Sequence, residues 1–133
     1  MILKGKKILV VEDDFSSREI MVNYFKTECE ADVTEAADGG QGFVKFSEKP
    51  YEFDIVLTDF NMEPVDGLSM IDKIKSAFPD CKAEFAVLST EKSEDHQSRS
   101  KNLGIRLWKL KPFDGGTLQS ALSKLMTRKI KTA

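Results

Sequence analysis

Two kinds of pattern alternate along the chain. KILVV (7–11), FDIVLT (53–58) and EFAVLS (84–89) are short, nearly continuous apolar runs, the pattern of parallel strands covered on both faces. DVTEAA (32–37) and IRLWKL (105–110) are more polar, as suits shorter or edge strands. Between them the apolar positions fall at helical spacing. Ile20, Met21, Tyr24 and Phe25 predict one stripe within a helix over 16–28, and Phe43 and Phe46 predict another over 39–48. Met70, Ile71, Ile74 and Phe78 mark a third helix, and Leu118, Ala121, Leu122 and Leu125 the last. EKSEDHQSRSKN (91–102) has no apolar side chain, which predicts a weakly held and mostly solvated helix. Strands alternating with helices, without repeat or linker, predict an α/β fold. It is a single-domain, doubly wound five-stranded parallel sheet flanked by five helices.

Composition fits that plan. With 133 residues, 41% of them hydrophobic, the chain has material for one core, and the expectation is one domain over 1–133 with its core at about 7–126. The 20 basic and 22 acidic side chains leave a net charge of -2, which argues against direct nucleic-acid binding. The basic tail 127–133, TRKIKTA, reads as a solvated chain end and not as a nucleic-acid or membrane contact. Cys29 and Cys81 form no C-x-x-C pair and read as thiols in a reducing compartment. The apolar pieces at the start are too short for a signal peptide or a membrane span, so a cytoplasmic location is expected.

In sheets of this kind ligands bind at the carboxyl ends of the strands. After the first apolar run stand Glu12, Asp13 and Asp14; after the third strand, Asp59; after the fourth, Ser89 and Thr90; after the fifth, Lys111. Crowded carboxylates repel one another and a hard cation relieves them, so this all-oxygen set suits Mg²⁺. A divalent ion beside a lysine is the equipment of phosphoryl transfer, and Asp59 is the carboxylate best placed to act as nucleophile. Asp14 and Asp66 read instead as helix caps. The chain has neither a P-loop nor a G-x-G-x-x-G after the first strand, and DGGQG (38–42) reads as a turn with a helix start. His96, the only histidine, reads as solvated, neither ligand nor base.

ILVVEDD, VLTDFNM with the following DGL, VLST and LKPF together resemble the receiver (CheY-like) domain of two-component response regulators, over Lys7 to about Met126. The resemblance implies a flavodoxin-like sheet order and phosphorylation by a histidine kinase. Asp59 would be the phosphoacceptor. Glu12, Asp13, Asp59 and the backbone carbonyl of Asn61 would hold Mg²⁺ or Mn²⁺. Ser89 would turn toward the phosphoryl group with Lys111 as its charge partner, on a typically cis Lys-Pro bond, and Trp108 would be the switch aromatic. Asn61 and Glu91 occupy the positions that tune autodephosphorylation. The implied partners are a sensor histidine kinase or phosphotransfer protein and an output protein on the face of the fourth helix, fifth strand and fifth helix. This chain departs from the family in Met62-Glu63-Pro64, where proline usually follows methionine, in Thr90, and in a tryptophan at 108.

Three other readings stand beside this one. A non-phosphorylated pseudo-receiver scaffold is disfavoured by the intact Asp13, Asp59, Ser89 and Lys111 set. The chain as a receiver fragment of a longer DNA-binding regulator is a second. A flavodoxin-like cofactor binder is disfavoured because three acids after the first strand repel phosphate.

Overall fold

The computed structural model describes residues 2–91 and 93–132, with side chains up to residue 127. Among the described residues, strands and helices alternate strictly: β1 (Lys7–Val11), α1 (Phe15–Thr27), β2 (Asp32–Ala36), α2 (Gly39–Glu48) and β3 (Ile55–Asp59). Then follow α3 (Gly67–Ala77), β4 (Glu84–Ser89), α4 (Glu94–Asn102), β5 (Leu107–Leu110) and α5 (Gly115–Thr132). All strands are parallel, in the order β2-β1-β3-β4-β5. The alternation predicted a doubly wound parallel sheet, and the strand order is the flavodoxin-like one that the receiver resemblance implies.

Each helix begins at a short polar side chain that accepts a backbone N–H of its first turn. Asp14 accepts from Ser17 (2.8 Å), Asp38 from Gln41 (2.8 Å) and Asp66 from Ser69 (2.7 Å). Ser93 accepts from His96 (3.1 Å) and Asp114 from Thr117 (2.7 Å). The starts are therefore fixed locally: α1 and α2 begin within one residue of the expected 16 and 39, while α4 begins at Glu94, three residues into the expected 91–102 segment.

The sheet separates two apolar layers. On one face Phe46, Phe53, Phe85, Leu68, Ile71 and Ile74 pack together, with Phe60 buried and Trp108 half-buried among them. On the other face Val22, Phe25, Leu118, Leu122 and Leu125 pack under α1 and α5. β3 lies between them with all five residues buried, Asp59 included. The predicted stripe of α1 needs correction. It is Val22 and Phe25 that are buried, while Ile20 is 71% exposed. The apolar arc of this helix (Phe15, Ile20, Met21, Val22, Tyr24, Phe25) is wider than the sheet can cover, so spacing alone did not select the buried side. α5 continues to Thr132, and most of the basic tail 127–133 lies outside the described side chains. No described helix is long and apolar enough to cross a membrane.

Candidate functional site

β1, β3 and β5 end at the same edge of the sheet and deliver Glu12, Asp59 and Lys111 to one place. The Lys111 Nζ lies 3.0 Å from Asp59 Oδ1 and 3.4 Å from Glu12 Oε1. Glu12, Asp13 and Asp59 each offer a carboxylate oxygen within 4.8 Å of the others. Glu12 is 1% and Asp59 6% exposed, while Asp13 is open to solvent. Burial, then the Asp59 carboxylate, push the Glu12 carboxyl up to about 7, against the pull of Lys111. For Lys111, burial lowers the ammonium pKa, but Asp59 and Glu12 together outweigh it and the net shift is upward.

The backbone around the cluster is braced on several sides. Arg18 donates from Nη1 to the Glu12 carbonyl (2.9 Å) and from Nε to Glu35 (3.2 Å), fixing the loop after β1. The Asp13 N–H donates to Glu12 Oε2 (3.0 Å). α3 starts against the Asp59 backbone, where a β-carbon on Gly67 would collide with the Asp59 carbonyl oxygen; the close approach requires glycine. Lys111 is held by its own N–H, which donates to the Ser89 carbonyl (2.8 Å). The Lys111–Pro112 peptide is cis, and so is Glu63–Pro64.

A cleft of about 430 Å³ opens beside the acids, lined by Asp13, Phe60, Asn61, Met62, Glu63 and Asp66. Asn61 is thus on the cleft wall next to Asp13, and Glu63 adds a further exposed carboxylate to its rim. Asp66, a cap as expected, also faces Arg99 of α4 (3.9 Å). A larger open groove of about 680 Å³ between α4 and β5, with Gln97, Lys101, Ile105, Arg106 and Trp108 on its walls, contains none of the clustered acids. The smaller cleft borders the acidic cluster through Asp13, and a separate hollow of about 290 Å³ reaches Glu12 and Lys111.

Ser89 is fully buried, and its Oγ accepts the Glu91 N–H (3.1 Å). The Glu91 carbonyl in turn accepts Trp108 Nε1–H (3.1 Å). Glu91 enters this network through its backbone, and its carboxylate makes no ion pair among the described residues. Thr90 is exposed.

Two side chains missed by the sequence reading complete the picture. Phe60, directly after Asp59, is buried. His96 is not solvated: it is half-buried, its ring centroid 4.3 Å from Phe60 and 5.5 Å from Trp108. A lone histidine in a polar helix gives no local sign of such packing. Its partners come from β5 and from the end of β3, and only the tertiary fold brings them together.

The donor set suits a hard divalent cation: oxygen ligands only, two of the three carboxylates buried, and a mutual repulsion visible at Glu12.

The family of the response regulator receiver domain matches residues 8–123. A probable chemotaxis protein CheY of Rhizobium etli is 28% identical over 116 residues, covering 87% of this chain and 88% of its own length. Among solved structures, the N-terminal domain of an uncharacterized protein from Wolinella succinogenes is 29% identical with a TM-score of 0.82, over 97% of this chain and 100% of that one. A CheY-like receiver domain protein from Methanospirillum hungatei, 21% identical, shares the fold with a TM-score of 0.86 over 98% of this chain and 100% of that one.

Proposed function

The chain belongs to the response regulator receiver domain family, the CheY-like receivers of two-component signalling, and from that premise we propose that Asp59 accepts a phosphoryl group from a histidine kinase or phosphotransfer protein. The observation that carries this reading is the Lys111 ammonium 3.0 Å from Asp59, at a strand edge that also gathers Glu12 and Asp13.

An Asp59 carboxylate oxygen attacks phosphorus, the new O–P bond forms as the P–N bond of phosphohistidine breaks, and the imidazole leaves with the electron pair. Lys111, 3.0 Å from Asp59 Oδ1, offsets charge on the transferred group. Glu12, Asp13, Asp59 and the Asn61 carbonyl would hold Mg²⁺ or Mn²⁺. Bound there, the ion would supply neutralisation of phosphoryl charge. The buried Ser89 hydroxyl turns toward the phosphoryl oxygens, and in doing so gives up the Glu91 N–H. Because the Glu91 carbonyl holds Trp108, that release reaches β5. Asn61 and Glu91 adjust the rate of hydrolysis. We read residues 1–133 as one receiver domain with its core at about 7–126, working in the cytoplasm and read by an output protein on the α4, β5 and α5 face.

Incubation with Mg²⁺ and acetyl phosphate, followed by intact mass, tests the assignment. A single phosphoryl adduct on the wild type that is absent from Asp59→Asn is expected. An adduct on Asp59→Asn, or none on the wild type, would sink it. Lys111→Ala should form the adduct but lose most of the accompanying change in Trp108 fluorescence.

A further inference from the structure

We propose that His96 is the positioning residue that ties α4 to the phosphoacceptor strand and to Trp108, so that α4 follows the state of Asp59 through this imidazole. α4 (Glu94–Asn102) has no apolar side chain with which to hold itself on the sheet. Its remaining attachments are Arg99 to Asp66 at 3.9 Å, Lys75 to the carbonyl of Leu103 just past its end, and the half-buried Leu103 side chain, which packs on the apolar layer at the C-terminal end only. The buried Ser100 adds little apolar surface. His96 supplies what the rest of the helix lacks, a flat ring inserted into the apolar layer.

Its seat is specific. The imidazole lies nearly parallel to the Trp108 indole, at 18° and 5.5 Å, and tilted on Phe60 at 57° and 4.3 Å. Phe60 and Trp108 also touch, with centroids 5.5 Å apart, so the three rings form a closed triangle. Phe60 is covalently next to Asp59, and its N–H donates to the Leu88 carbonyl (2.8 Å), beside Ser89. Trp108 is held by the Glu91 carbonyl, and Glu91 by Ser89. The contacts therefore close a circuit from Asp59 through Phe60, His96, Trp108 and Glu91 back to Ser89. A movement of Ser89 toward Asp59 shifts one side of the triangle against the other, and His96 is the only described α4 side chain in those ring contacts.

The clamp is also releasable. His96 Nδ1 is buried without a hydrogen-bond partner among the described residues. The attraction of aromatic packing and the cost of an unmade buried hydrogen bond are of similar size and opposite sign. A ring seated on such a balance moves on small demand, as an element with two positions must.

This inference rests on Asp59 as phosphoacceptor only for its second arm below. The full chain is compared with His96→Ala and with His96→Phe, which keeps a ring and removes both nitrogens. Without additives, hydrogen exchange over 94–102 should quicken about tenfold in His96→Ala while α1 is unchanged, and stay near wild type in His96→Phe. With Mg²⁺ and beryllofluoride, occupancy is read by fluorine NMR and the response by Trp108 emission. All three proteins should bind, the emission change should shrink about threefold or more in His96→Ala, and His96→Phe should restore it. Wild-type exchange and response in His96→Ala, or a His96→Phe that behaves as His96→Ala, would overturn the role. If the wild type binds no beryllofluoride, the reading of Asp59 fails, and the exchange arm still decides whether His96 holds α4.

Discussion

At the level of single residues, Glu12 shows what the cluster asks of its members. Its carboxyl is raised from an ordinary 4.5 to about 7, so between those values the folded state binds more protons than the unfolded chain, and stability falls as pH rises through that window. Glu12→Gln should remove this group's share of the slope. Urea unfolding without divalent ions should find the variant more stable than wild type at pH 8 by on the order of 1–2 kcal/mol, because glutamine carries no buried charge beside Asp59. The gap should close toward pH 4.5, and a gap that stays constant with pH would remove Glu12 as its source. Mg²⁺ competes for the same oxygens as the proton, so it should raise wild-type stability more at pH 8 than at pH 5.5. The identities in this cluster were legible in the sequence because each member directly follows an apolar run. The brace from Arg18 and the packing of His96 were not legible, since both depend on which loops face each other once the sheet is formed.

At the level of elements, the strands announced themselves wherever both faces were buried: β1, β3 and β4 read as continuous apolar runs. The edge strand β5 was expected over 105–110 and forms only at Leu107–Leu110, because Ile105 and Arg106 have no ladder partner there. α4 is the element whose stability is most local. Its first turn depends on Ser93, which accepts the N–H of His96 itself. Ser93→Ala should cost about 1 kcal/mol, the usual penalty for a lost cap. Hydrogen exchange should show that loss within 94–102 and leave α3 untouched; a uniform loss across the chain would mean that α4 folds in one unit with the core.

For the molecule as a whole, the sheet is a partition between two layers, and only one of them contains Trp108. Ile74 and Leu122 are both fully buried, on opposite faces. Truncating either to alanine should destabilise the fold by about 2–5 kcal/mol in denaturant unfolding. The native emission of Trp108 should shift for Ile74→Ala and stay as in wild type for Leu122→Ala. Shifts in both would show that the sheet transmits packing defects from one layer to the other. The order of the layers followed from the alternation of strand and helix. The assignment of each helix to a face did not, because right-handed crossovers limit the topology without fixing which apolar arc of α1 turns inward.

The polar surface of α4 has a consequence for what the helix tolerates. Glu94, Asp95, Gln97, Ser98 and Lys101 are exposed, and the helix adds little to either apolar layer. Substitutions there change folding free energy by only about half a kcal/mol in either direction. The exposed positions of α4, His96 apart, can therefore be replaced at little cost to folding, whereas replacements in the buried sheet beneath cannot.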